Sequence, residues 1–316
     1  MKRLGFMLLL VTALAAPQIL SAAAERKIGI LVWQKYGRFQ DSLDKTLSQL
    51  KTEGLLSGGT VVSVEYSDGN KAKAMKVAQH YAAQKMDLFF TIGTSATAAL
   101  AKEVKDVPIV FCTVYDPVDA GFAASWQSSG NNMTGASVYV GVEEVVVFLQ
   151  KIIPVKNLAV IYTPGEKNSE SHLKNLLAHS RALHITIIPV PLLAADDPDL
   201  MFRYLPGRVE AVFLTGSGVV DMKARPIIAA LTKLRIPTIT HVLDYAQEGV
   251  FLAVGSVNAD SCLVAVKQAA QILQKGLKPA DIPIARPQKI QIRINQATGR
   301  ACGITVPESL IRETQK

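Results

Sequence analysis

The feature that most restricts this chain is a repeated alternation of short, continuously apolar runs with stretches of helical spacing. Lys27–Val32 carries no polar alternation, which marks a strand covered on both faces of a parallel sheet. Phe39, Leu43, Leu47 and Leu50 then recur at three and four residues and predict one helix face, closed by Gly54. Val61–Tyr66 predicts the next strand, and Met75, Ala78 and Ala82 the apolar side of a second helix. Leu88–Ile92 and residues 108–111 predict two more strands, with a short helix from Ser95 to Val104 between them. A strand over 134–138 follows the turn Gly130-Asn131-Asn132.

The alternation then begins again. The pattern predicts helices over 143–152, 169–180, 197–205 and 222–234, and strands over 158–162, 185–188, Ala211–Leu214 and 237–240. Strand–helix–strand units with short connections demand right-handed crossovers, so the fold class is α/β with doubly wound parallel sheets. Two successive sets, each of about four to five strands, imply two lobes rather than one large sheet. The last third supplies a strand over 251–255, a long helix over 259–274 ending at Gly276, and an alternating strand over 289–294. That is too little for a third domain. These elements are expected to complete the two lobes, so the chain crosses between them several times and leaves a hinge and a cleft, a favoured place for a ligand.

The start of the chain reads as an export signal over residues 1–24. Lys2-Arg3 is a charged opening, an apolar stretch starts at Phe6, and Ala22-Ala23-Ala24 gives the small residues of a cleavage site. Pro17, Gln18 and Ser21 interrupt the run before it reaches spanning length, and no cysteine near the cleavage point offers a lipid anchor. A soluble periplasmic product is expected. The net charge of +8 is scattered among acids without a basic tract, which argues against a nucleic-acid surface. Cys112 lies in an apolar run, Cys262 near the start of a helix and Cys302 in a strand-like segment. An oxidising compartment permits a bridge between two of them, but buried free thiols are the preferred reading.

Several stretches, in order, resemble one known family. They are Gly93-Thr94-Ser95-Ala96, Pro108-Ile109-Val110-Phe111 running on to Asp116-Pro117-Val118, and Gly130-Asn131-Asn132-Met133-Thr134-Gly135. Further along come Tyr162-Thr163-Pro164-Gly165-Glu166-Lys167-Asn168-Ser169, Ala253-Val254-Gly255, Gly276-Leu277-Lys278-Pro279-Ala280-Asp281-Ile282-Pro283 and Gly303-Ile304-Thr305-Val306-Pro307. Their ordered combination is similar to ABC-transporter substrate-binding proteins of the tryptophan- or tyrosine-binding periplasmic kind. The resemblance implies a type I periplasmic-binding-protein fold. It implies a first lobe from 25–135 plus 256–285 and a second from 136–255 plus 286–316, with a monomer expected. It implies capture of a small molecule, such as an amino acid or another flat compound, for a membrane permease. A periplasmic sensor that signals to a membrane receptor is the alternative. Two departures bear on the ligand. Tyr115 stands where relatives have a small residue, and Val242 where several amino-acid binders have an acid, with Asp244 two positions on.

Ligands of open α/β sheets bind beyond the carboxyl ends of the strands. That rule and the resemblance select much the same residues: Trp33, Thr94, Ser95, Tyr115, Asp116, Thr163, Asn168, Ser169, Gly216, Ser217, His241 and Asp244. Thr94-Ser95 and Asn168-Ser169 open helices, where hydroxyls and free amides suit a carboxylate or simply cap the helix. Trp33 and Tyr115, with Tyr36 nearby, offer flat faces for stacking or for the protein's own core. Asp116 reads as an amine acceptor or a turn initiator, and Gly216-Ser217-Gly218 as a close-approach turn. His80, His172 and His179 are expected on solvated helix faces, and His241 near the surface. No histidine pair has metal-ligand spacing, and no nucleophile elbow or dinucleotide fingerprint occurs. No catalytic activity, metal or cofactor is expected.

Overall fold

A computed structural model describes residues 26–35, 37–193, 195–197, 205 and 209–314. The export signal over 1–24, Tyr36 and nearly all of the helix expected over 197–205 lie outside the described residues.

The first sheet is built from β1 (Lys27–Val32), β2 (Val61–Tyr66), β3 (Leu88–Ile92), β4 (Ile109–Val114) and β5 (Met133–Ser137), in the order β2-β1-β3-β4-β5. All its pairings are parallel. Every side chain of β3 and β4 is buried, as their uninterrupted apolar runs require. Its helices are α1 (Arg38–Thr52), α2 (Lys71–Ala82) and α3 (Thr94–Glu103).

The second sheet takes β6 (Asn157–Tyr162), β7 (Thr186–Pro191), β8 (Ala211–Leu214), β9 (Thr238–Thr240), β10 (Leu252–Gly255) and β11 (Gln291–Ile294), in the order β11-β10-β9-β8-β6-β7. Only the edge strand β11 is antiparallel. It is partly buried at every position, without the alternation of exposed and buried residues that its sequence predicts. Helices α4 (Val142–Gln150), α5 (Lys167–His179) and α6 (Gly218–Lys233) belong to this lobe. Helix α6 begins four residues before its expected start at 222, because the Ser217 hydroxyl accepts from the Val220 amide and caps it.

The chain passes between the lobes three times: from Ser137 to Val142, from Gly255 to Asn258, and from Ala285 to Gln291. Helix α7 (Asn258–Lys275) therefore returns to the first lobe, where it packs on α1, β4 and β5. The short α8 (Gln296–Ala301) and α9 (Glu308–Glu313) follow β11. Residues 136 and 137 pair with the first sheet through β5 and through the bridge from Ala136 to Ala285.

The return of α7 corrects the reading of the cysteines. Cys112 on β4 and Cys262 on α7 form a disulfide with Cα atoms 5.1 Å apart. Two buried side chains far apart in sequence became partners because the helix and the strand pack face to face. Cys302 is the free, buried thiol, and it closes α8 instead of lying in a strand. Beside the disulfide, the register of β4 against β5 shifts between Phe111 and Val114. Thr113 sits in that irregularity with φ at 57°, a strained conformation for a β-branched residue. Its amide leaves the ladder and donates to Ser261 Oγ on α7 at 3.1 Å.

Candidate functional site

In a doubly wound sheet, the point where strand order reverses opens a crevice at the strand ends. The first sheet reverses between β1 and β3, and the second between β6 and β8. The two crevices face one another. Between them lies a small cavity of about 40 Å3, lined from the first lobe by Trp33, Arg38, Phe39, Gly93, Thr94 and Ser95, with Thr113 near the end of β4 and Tyr115 just after it. The second lobe contributes Glu166, Asn168, His172, Gly216, Gly218 and His241, and Val242 stands beside them.

The lobes are drawn together around it. Arg38 Nη2 pairs with Asp221 Oδ2 at 2.8 Å, and both side chains are about one-tenth exposed. Tyr245 donates to the other carboxylate oxygen of Asp221 at 2.5 Å. Gln34 Nε2 reaches the Gly218 carbonyl at 3.4 Å, and Lys71 Nζ the Gly165 carbonyl at 2.6 Å. On the other flank Lys167 Nζ donates to the Ala120 carbonyl at 2.5 Å, and Lys174 pairs with Asp119. Two glycines let the walls approach. A Cβ at Gly93, whose φ is 107°, would meet Phe39 at 2.9 Å and Trp33 at 3.0 Å. A Cβ at Gly218 would meet Trp33 Nε1, across the cleft, at 2.6 Å.

The floor is aromatic. Tyr115 donates to the Val140 carbonyl at 3.1 Å, and its ring lies 4.0 Å from that of His172 and 5.3 Å from that of His241, centroid to centroid. The two imidazoles are themselves 4.0 Å apart, and Phe213 stacks parallel to His241 at 6.1 Å. His172 is only 1% exposed, so its expected solvated position on α5 is corrected: the face it shares with Asn168, one turn earlier, is covered by Tyr115 of the other lobe. His241 is likewise buried and away from the surface. Burial lowers the pKa of His241 to about 3, with the charge of Arg38 adding to the effect. Burial, His241 and Arg38 together hold His172 well below the usual imidazole range. Both rings are neutral here.

Of the residues selected from sequence, Trp33, Thr94, Ser95, Tyr115, Asn168, Gly216 and His241 line the cavity. Five others do not reach it. Ser169 Oγ accepts from the Thr163 amide at 2.8 Å and bonds Thr215 Oγ1 at 2.7 Å, while Thr163 Oγ1 bonds Ser217 Oγ at 2.7 Å. These hydroxyls form a buried network beneath the second lobe's wall. Asp116 Oδ1 accepts from the amides of Val118 and Asp119, each at 3.0 Å, and so closes its own turn. Asp244 accepts from Asn258 Nδ2 at 3.0 Å and faces a neighbouring groove beside Arg38 and Tyr245. Sequence reasoning missed Arg38, Glu166 and His172. The spacing of Asn168 and His172 on one helix face was the available signal for the last.

Residues 39–316 match the family described as ABC transporter substrate binding protein. The chain belongs to this family. It is thus the solute-binding component of an ABC importer, a protein that binds rather than transforms its ligand and serves a membrane permease. A tyrosine-binding protein of Clostridioides difficile is 22% identical over 267 residues, which are 82% of this chain and 77% of that one. Among solved structures, a Streptococcus pneumoniae ABC domain in complex with L-Trp has a TM-score of 0.86 and 22% identity, over 92% of this chain and 99% of that one. A conserved domain protein of Vibrio cholerae has a TM-score of 0.85 and 23% identity, over 91% and 97% of the two chains. An open, ligand-free substrate-binding protein of Clostridium difficile with adhesive properties has a TM-score of 0.69 and 22% identity, over 89% and 96%. These likenesses carry the two-lobed fold of the binding protein. Among the described residues, no helix is long and apolar enough to cross a membrane, and no group of three or more metal-binding side chains occurs.

Proposed function

We propose that this binding protein, exported to the periplasm as a soluble monomer after loss of residues 1–24, captures a small flat solute by closing its lobes over it. The observation that carries the reading is the cavity at the facing strand-order reversals, walled by Trp33, Phe39, Tyr115, His172 and His241. Flat side chains on both lobes suit a planar guest, which can contact them at little conformational cost. Closure also buries polar atoms that have no partner within the protein: Arg38 Nη1, Asn168 Oδ1, both ring nitrogens of His172 and Nδ1 of His241. Each such atom costs about 1–3 kcal/mol unless something pairs it. A solute that supplies those hydrogen bonds stabilises the closed form alone, and that difference drives closure.

The size of the cavity narrows the guest. A volume of about 40 Å3 accommodates on the order of three water molecules. A cavity that binds a benzene ring has about 150 Å3, so Tyr115 and the imidazoles must move aside to admit one ring, and further for the indole of tryptophan. A thermal-shift screen tests the reading, because a ligand at about one hundred times its Kd adds about 2.7 kcal/mol to folding stability. Stabilisation by single-ring aromatic solutes is the expected result. A protein stabilised only by sugars or inorganic ions has a different ligand, and the reading fails.

A further inference from the structure

The acidic side chains around the cleft each accept hydrogen bonds from groups of the protein. Glu166, the carboxylate that lines the cavity, accepts from the Gly218 amide at 2.9 Å and from the Val219 amide, at the start of α6. Asp221 holds Arg38 and Tyr245, Asp244 holds Asn258, and Asp116 holds two amides of its own turn. Burial raises the pKa of Glu166 above the usual carboxylate value. The same cavity is lined by the neutral imidazoles and by Val242.

One cationic donor atom is uncommitted. Arg38 uses Nη2 for Asp221 and for the Gly216 carbonyl, and leaves Nη1 buried without a partner. Its guanidinium stays charged, since the attraction of Asp221, Tyr245 and Asp244 outweighs the cost of burial. Helix α3 begins beside it at the same cavity. Its cap is Gly93, which has no side chain to satisfy the first amides, and Thr94 and Ser95 line the space. A helix start and a guanidinium nitrogen converging on one cavity form an anion site of two independent parts.

We propose that the solute carries an anionic head group bound by Arg38 Nη1 and the start of α3, and carries no ammonium group. This deepens the reading of a small flat guest and rests on it. The guest is an aromatic or similarly planar acid, and the cleft discriminates against the corresponding amino acid because an ammonium would meet Arg38, and the one carboxylate in the lining, Glu166, already accepts two amides.

Three probes with one ring test this by calorimetry on the purified protein: phenylacetate, L-phenylglycine and benzylamine. Phenylglycine is phenylacetate with an added α-ammonium, and benzylamine keeps a cation without the acid. Phenylacetate is expected to bind at least tenfold more tightly than phenylglycine, with benzylamine undetectable. Arg38→Lys keeps a charge for Asp221 but removes the forked second nitrogen. It is expected to weaken phenylacetate at least tenfold with an unchanged melting temperature. Phenylglycine or benzylamine binding as well as phenylacetate overturns this inference and leaves the flat-solute reading standing. Phenylacetate binding to the Arg38→Lys protein at full strength does the same. Failure of all three probes removes the single-ring guest, and the anionic head group goes with it.

Discussion

Substituting Gly218 by alanine separates closure from folding. The new methyl would lie 2.6 Å from Trp33 Nε1 and 3.3 Å from its Cε2, closer than nonbonded atoms tolerate. Trp33 is 3% exposed and cannot retreat, because its Cβ already fits against Gly93. Overpacking of this kind costs about 1–3 kcal/mol. The cost falls on the closed form alone, since Trp33 and Gly218 sit on opposite lobes and part when the cleft opens. At about 1.4 kcal/mol per tenfold, solute affinity should drop roughly 5- to 150-fold. The fold should not suffer: Gly218 begins α6, where alanine is the better helix former, and its amide still donates to Glu166. Calorimetry with a solute from the thermal-shift screen measures the loss, and melting without solute measures the fold. Unchanged affinity would show that the two walls do not meet when solute binds. A melting temperature lowered by several degrees would show that the contact supports the fold instead.

Acid should open the cleft. His172 and His241 are held neutral by burial, so the open or unfolded protein binds more protons below the ordinary imidazole pKa of about 6.5. Closed-state stability is therefore complete above that pH and declines as pH falls toward 5, by at most about 1.4 kcal/mol per unit for each ring. Titrating solute affinity between pH 8 and about 5 checks it, and a flat profile there contradicts buried neutral rings. Ser95→Ala should weaken solute binding with the fold intact. Ser169→Ala should instead lower the melting temperature, by about 1–3 kcal/mol of stability, because it strands the Thr163 amide and Thr215 in the interior. The denatured, unreduced protein should titrate one thiol, Cys302, and reduction should destabilise the first lobe by about 2–4 kcal/mol. Three thiols without reductant would exclude the bridge.

The inner strands β1, β3, β4, β6 and β8 were legible because their sequences are dominated by apolar runs, and β11 because its sequence alternates. Those patterns depend on burial within one lobe. What the sequence concealed depends on contact between distant segments. His172 occupies a helix face that reads as solvated, and Tyr115 of the other lobe covers it together with His241. The partnership of Cys112 with Cys262 follows from the return of α7, which no local pattern encodes. Arg38 lies one turn past a predicted strand, and its role needs Asp221 from the second lobe. Ser169 and Asn168 are adjacent and looked equivalent. The turn of α5 sends one into the wall and the other to the cavity.

The first lobe draws its last helix from the far side of the second, and the disulfide spans 150 residues between those two pieces. During synthesis, the half that emerges first must therefore wait, its β4 cysteine exposed, until nearly the whole chain has been delivered. Oxidation becomes a late checkpoint on assembly. A chain cut short before α7 lacks both the bond and the helix that packs on α1, β4 and β5.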